Sequence, residues 1–352
     1  MISPSIDFLY LQMYNKILLL IIMLYMLLQN SIQINTICGI QDNKNENSRY
    51  ERQVYKRTVT KEVLLLTSRN YIKYFAALLM FGTNGIVASY IAMSSYEIVL
   101  TRTLIGSLLL IFIYIITIHK IHLPDNKKHF LFLIFSGIAM GTSWMFLYEA
   151  YQQIGVGVAS LAYYCGPVII MILSPILFRE KLTWQKVAGF LGVLVGMFCV
   201  NLQALYEGST TWGLFCGIMS AIMYALMVIF NKKAKSITGL ENSMWQLMMS
   251  FLTVAVFVMI KQGFYINLES KSILPVLILG IFNTGIGCYF YFSSIGNLPV
   301  QTVAICGYLE PLSAVIFSVL FLSESMNLQQ ILGAALIIGG AAFGELFQKK
   351  KG

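Results

Sequence analysis

A rhythm of long apolar runs constrains this chain more than any other feature. From Tyr71 to Phe347, runs of about 18–24 residues alternate with short polar breaks. A continuous apolar run of that length crosses a hydrocarbon core of roughly 30 Å as an α-helix. Ten runs are legible, near 71–92, 97–118, 130–150, 155–178, 184–202, 210–231, 242–262, 272–293, 299–322 and 329–347. They are unbroken rather than alternating, so helices are predicted and barrel strands are not. Such close spacing leaves no room for an extramembrane domain in that region. Composition agrees: of 352 residues, 58% are hydrophobic and 11% charged. A soluble domain carries about 25% charge. Mean hydropathy is +0.75.

The formal net charge of +9 comes from 24 Lys and Arg against 15 Asp and Glu. Its distribution reads as topology. If the segment before the first span is inside, the inner segments hold clusters at Arg49–Lys73, Lys120–Lys128, Arg179–Lys186, Lys232–Lys235 and Lys349–Lys351. The outer connections hold only Lys261 and Lys271. This is a strong positive-inside bias, with both termini in the cytoplasm provided residues 17–28 do not span. Basic residues dispersed over several loops argue against a nucleic-acid groove.

Residues 1–70 form an N-terminal extension. Its apolar run 17–28 is short for a span, and residues 41–62 read as a polar linker. The extension is read as an eleventh helix, an uncleaved anchor, or sequence upstream of the true start. Six cysteines without a CxxC pair suggest neither a disulfide framework nor a zinc site. His119, His122 and His129 share one polar stretch and read as a solvated loop. Neither a metal nor a cofactor is expected. GxxxxGK[ST] and HExxH do not occur, which argues against ATP hydrolysis and an intramembrane metalloprotease.

The chain matches itself, without gaps, at an offset of 144. Glu97 pairs with Glu241, Gly141 with Gly285, Tyr164 with Tyr308, Pro167 with Pro311, Glu180 with Glu324, Gly189 with Gly333 and Gly196 with Gly340. Two repeats follow, 71–202 and 210–347. Each has five spans, an odd number, so the halves are predicted to insert in opposite orientations. Arg179, Lys181 and Lys186 agree, being replaced by Ser323, Ser325 and Gln330 in the second half. The predicted fold is an all-α polytopic membrane protein with ten transmembrane helices in two inverted five-helix repeats. Such repeats point to a secondary transporter, with a cavity between the halves.

Several motifs carry a family resemblance. They are Phe81-Gly82-Thr83-Asn84 in the first span, Arg102 in the second, Tyr163-Tyr164-Cys165-Gly166-Pro167 in the fourth and Tyr308-Leu309-Glu310-Pro311 in the ninth. Acidic exits follow at Glu180 and Glu324. Over residues 71–347 the sequence resembles the drug/metabolite transporter superfamily, in its EamA-type branch. It departs from the common pattern at Phe81, where relatives often carry Trp, and in the N-terminal extension. The resemblance implies export or exchange of small metabolites, often amino acids. It also implies a cavity lined by the first, third, fourth, sixth, eighth and ninth spans.

Ionisable residues within spans are costly and are functional candidates by default. Glu310 precedes Pro311, which removes a backbone donor and frees a carbonyl. It reads either as a polar spot for an ammonium group or proton, or as a structural partner of Arg102. Glu149 reads as a rim or a binding residue. Glu97 and Glu241 read as helix caps, and Glu180 and Glu324 as structural groups bonding the next helix. Trp144, Tyr148, Tyr151, Tyr163, Tyr164, Tyr224, Tyr289, Tyr291 and Tyr308 suit an amphiphilic solute, though each also serves as packing. Candidate binding residues are Asn84, Trp144, Tyr148, Tyr163, Tyr164, Tyr224, Asn283, Tyr308 and Glu310. Arg102, Glu149 and Glu310 are the charged candidates for coupling or structure. Asn84 and Asn283 serve equally well as glue between helices. Gly189, Gly192 and Gly196 form a face for close packing, within the chain or in a homodimer.

The expected function is a non-enzymatic secondary transporter, an exporter or facilitator of small organic metabolites in a bacterial cytoplasmic (inner) membrane. Its partners are a small-molecule solute and the lipid bilayer. A membrane enzyme acting on lipids would need polar residues clustered at the surface, and only 119–129 offers them. A scaffold would need an extramembrane domain, and only the N-terminus could supply one.

Overall fold

The computed structural model describes residues 68–118, 124–200, 211–263, 269, 272–322 and 328–346. The run 17–28, the linker 41–62, His119, His122 and Glu324 lie outside them. The chain divides into two compact units, Met1–Ile72 and Lys73–Gly352. Of the first unit only residues 68–72 are described, and they are helical. The second unit carries everything that follows.

The described residues are helical and contain no strand. In chain order the helices are α1 (Ser68–Ser89, interrupted at Thr83), α2 (Ser95–Ile118), α3 (Lys127–Tyr163), α4 (Gly166–Phe178), α5 (Trp184–Val200), α6 (Thr211–Lys233), α7 (Gly239–Gln262), α8 (Ile273–Ile295), α9 (Val300–Cys306), α10 (Leu309–Leu322) and α11 (Leu328–Leu346). Among the described residues six helices are long and apolar enough to cross a membrane: α1, α2, α3 over Lys127–Ile154, α6, α7 and α8. Shorter apolar helices lie in α4, α5 and α11. Exposed Phe112, Ile116, Leu191, Phe198 and Ile260 form apolar outer faces, as lipid-facing helices require.

Local chemistry sets the helix ends. The Ser94 N–H donates to the Glu97 carboxylate at 2.8 Å, and the Glu97 N–H donates to Ser94 Oγ at 3.3 Å. This is a capping box at the start of α2. The Asn126 side chain accepts the His129 N–H at the start of α3. Within α8, Leu279–Ile286 forms a π-helical segment, a wide turn of the kind found at functional sites. It presents Asn283 to the interruption in α1. Asn283 Nδ2 lies 2.8 Å from Met80 O, 2.8 Å from Thr83 Oγ1 and 2.9 Å from Asn84 Oδ1. A polar side chain thus satisfies backbone freed where a helix is broken in an apolar setting.

The fourth and ninth apolar runs are each two helices meeting at a turn. The turns fall at Tyr164-Cys165 and Gly307-Tyr308, matched positions of the internal repeat. The repeat mates touch there: Tyr308 Oη donates to Tyr164 O at 2.7 Å, across 144 residues. Elsewhere the halves differ. The sequence predicts a break between the third and fourth spans, yet helix α3 runs without interruption through 151–154. The matched region of the second half does break, between α8 and α9. Pro299 stands there, lacking an N–H and disfavouring helix in the residue before it. Gly155 holds the matched position in the first half and keeps its N–H.

Helices α5 and α11 cross on glycines. A Cβ at Gly189 would overlap the Gly340 carbonyl, and one at Gly196 would sit 2.6 Å from Gly333 O. Position 340 matches 196, and 333 matches 189, so the same contact is made twice. The neighbouring approaches repeat it: a Cβ at Gly196 meets Ile337 N at 2.9 Å, and one at Gly340 meets Val193 N at 2.9 Å. A polar pair behaves alike. Arg102 Nε donates to Thr284 Oγ1 at 2.9 Å, and Gln246 Nε2 contacts Met140 Sδ at 3.8 Å. Residue 246 is the mate of 102, and 284 the mate of 140.

Candidate functional site

A cavity of ≈ 600 Å³ opens among α1, α2, α3, α6, α8 and α10. Exposed Ser89 and Gln152 stand in its wall near the α1–α2 connection. The volume falls within the roughly 300–1,000 Å³ of small-molecule sites.

Arg102 forms one charged wall. It is 4% exposed, and its guanidinium lies 4.7 Å from the Trp144 ring centroid, a cation–π arrangement. Nε is committed to Thr284 Oγ1, and Thr284 in turn donates to Leu279 O inside the π segment at 2.8 Å. The fork is fixed at its base, and its terminal nitrogens have no hydrogen-bond partner among the described residues.

Glu310 forms the other charged wall, in the first turn of α10, where the helix dipole favours an anion. Its carboxylate has no hydrogen-bond or ion-pair partner among the described residues. Arg102 and Glu310 do not pair with each other; the ion pair found among the described residues is Lys261–Glu149. The carbonyl that Pro311 leaves without its helical donor is that of Gly307. It accepts the Glu310 N–H at 3.1 Å, so the proline break supplies the carboxylate and no open carbonyl.

Aromatic rings join these walls. Tyr163 lies against Tyr164 at 5.4 Å and Tyr224 at 5.3 Å, and Tyr224 Oη is 3.2 Å from Tyr291 Oη. Phe81 packs on Tyr291 at 5.9 Å. Tyr148 and Tyr151 stack at 5.2 Å beside Trp144.

Of the sequence candidates, Asn84, Arg102, Trp144, Tyr148, Tyr163, Tyr164, Tyr224 and Glu310 line this one cavity. Asn283 sits behind Asn84, its Nδ2 bonded within α1. Tyr308 is fully buried behind Tyr164, its hydroxyl committed to Tyr164 O. Glu149 lies elsewhere, paired with Lys261 at 3.3 Å beside a separate ≈ 310 Å³ cavity. It also accepts from Trp212 Nε1. The second span, missing from the expected lining, contributes Arg102. Ser143, Ser160 and Cys288 line the cavity too, but nothing in their spacing singles them out.

The fold and cavity define a polytopic membrane protein with an aromatic, two-charge pocket between its helices. The EamA-like transporter family model matches residues 69–202 and again 211–344, so the chain belongs to the EamA-like transporter family. Similar proteins include the uncharacterized transporter YxxF of Bacillus subtilis, 24% identical over 77% of this chain and 88% of its own length. YvbV of Bacillus subtilis, also an uncharacterized transporter, is 25% identical over 67% and 78%. An uncharacterized transporter of Clostridium kluyveri is 20% identical over 80% and 94%. A crystal structure with 19% identity shares the fold at a TM-score of 0.70, over 81% of this chain and 100% of its own.

Proposed function

We propose that this protein is a secondary transporter of small organic metabolites, with zwitterions such as amino acids as the class its cavity suits. The carrying observation is the separation of Arg102 from Glu310 in one cavity, neither neutralised by the other. Both charges are costly at membrane depth unless something pairs with them. A carboxylate on the Arg102 fork and an ammonium at Glu310 meet that need together, with the tyrosines packing the remainder. Ten spans in two inverted repeats support alternating access. The matched breaks, the twice-made glycine contact and the Arg102–Thr284 and Gln246–Met140 pairs are what a twofold relation requires. The charge bias supports cytoplasmic termini in a bacterial inner membrane. The mechanism needs no cofactor and no bond-making chemistry, and it operates as an exporter or facilitator.

Uptake of labelled amino acids into vesicles, with and without a proton gradient, tests the reading. Glu310→Gln is expected to lower uptake by about tenfold or more, the worth of a hydrogen bond to a charged group, with membrane insertion unchanged. Normal uptake in that variant would leave the carboxylate structural at most. Absence of transport for any amino acid, drug or sugar phosphate would overturn the reading itself.

A further inference from the structure

A second cavity of ≈ 380 Å³ lies at the α6–α7 end of the molecule. Its walls include Asn231 and Lys232 of α6, Phe292 and Ser293 of α8, and Glu180. Phe292 belongs to the walls of both this cavity and the central one. On α6, Met227 faces the central cavity and Asn231, one turn later, faces the second. The two spaces are therefore separated by a septum about one helical turn thick.

The septum ends in the turn between α8 and α9, and two charged groups hold that turn. From the α4–α5 connection, the Glu180 carboxylate accepts the N–H of Val300 at 2.7 Å and of Gln301 at 3.0 Å. These are the first donors of α9, which its own helix cannot satisfy. From α6, Lys232 Nζ donates to Ile295 O at 2.9 Å and to Leu298 O, carbonyls at the end of α8. An ordinary cap comes from the helix it closes. Here the carboxylate lies 120 residues from its donor and the ammonium 63 from its acceptor. Gln301 adds a bond from Nε2 to Ser174 Oγ at 3.0 Å, while its buried Oε1 has no partner. The turn is anchored to α4 and α6 mainly through charge-assisted bonds, with little burial of apolar side chains.

We infer that Glu180 and Lys232 form a clasp that closes the central cavity toward the α6–α7 connection, and that its release opens a path for solute through the second cavity. The inference rests on the transport reading, and it is tested by access rather than by transport. In a background with all six cysteines replaced by alanine, Ser160→Cys places one thiol on the central cavity. A membrane-impermeant maleimide is applied to vesicles exposing the α6–α7 face. Labelling is slow with the clasp intact. Glu180→Ala and, separately, Lys232→Met are expected to raise the rate about tenfold, with a matching fall from the opposite face. Unchanged rates from both faces, in a variant that inserts with an unaltered melting temperature, overturn the clasp. Each variant frees the same turn from a different side, so if one fails to insert the other decides. The milder Glu180→Gln serves as a third variant. A wild type that carries no solute but shows the labelling shift keeps the clasp and loses the transport reading; transport without the shift does the reverse.

Discussion

Arg179 is held with φ 56° and ψ 28°, the positive-φ non-glycine residue among those described. A left-handed conformation costs an L-residue about 1–2 kcal/mol, and here it turns the chain at the end of α4 so that Glu180 meets α9. Arg179→Gly is expected to raise the melting temperature in detergent, and β-branched Arg179→Val to lower it. The opposite order would mean that the arginine side chain, not the backbone, sets this turn. At this scale the sequence was partly legible. A carboxylate before a proline marks Glu310, and its scarcity makes it conspicuous. Tyr308 reads there as a cavity residue because its repeat mate is one. Only three-dimensional packing hides it, since the turn after Cys306 leaves Tyr164 O as the acceptor its hydroxyl takes. Glu149 was equally opaque, because its partner Lys261 lies 112 residues away.

At the scale of elements, close approach of backbones does what large side chains do in a water-soluble core. Lipid tails are as apolar as leucine, so helix association relies on fit and hydrogen bonding. Gly196→Leu would force apart α5 and α11, which touch there at backbone distance. Such overpacking costs about 1–3 kcal/mol. A lower melting temperature in detergent is expected, and an unchanged one would mean the crossing is slack. The apolar runs announced most helices, since length and hydropathy are local properties. The π segment of α8 and the interruption of α1 were not announced. Each depends on the other through Asn283, and a relation between residues about 200 apart leaves no local signal. The uninterrupted α3 is similar: a glycine at 155 permits helix or break, and the surroundings choose.

For the whole molecule, the testable property is orientation. Ser94, on the α1–α2 connection, and Ser236, on the α6–α7 connection, are both exposed, and the charge bias assigns them to opposite sides of the membrane. In intact cells expressing a cysteine-free background, an impermeant maleimide is expected to label Ser94→Cys and spare Ser236→Cys. Labelling of the reverse pattern would invert the topology, while leaving the cavity's geometry untouched. The repeat was the most legible feature at this scale, because a gap-free offset survives even where identity is sparse.

The glycine contact between α5 and α11 has a consequence for how such a chain came to exist. Position 189 meets the mate of 196, and position 196 meets the mate of 189. A half-length ancestor carrying those two glycines would hold both sides of the contact already. Two copies inserted in opposite senses could then close on each other before any linker joined them. Fusion of the two genes would have had no new interface to invent. Its effect would have been to free each half to diverge, as Gly155 and Pro299 have done.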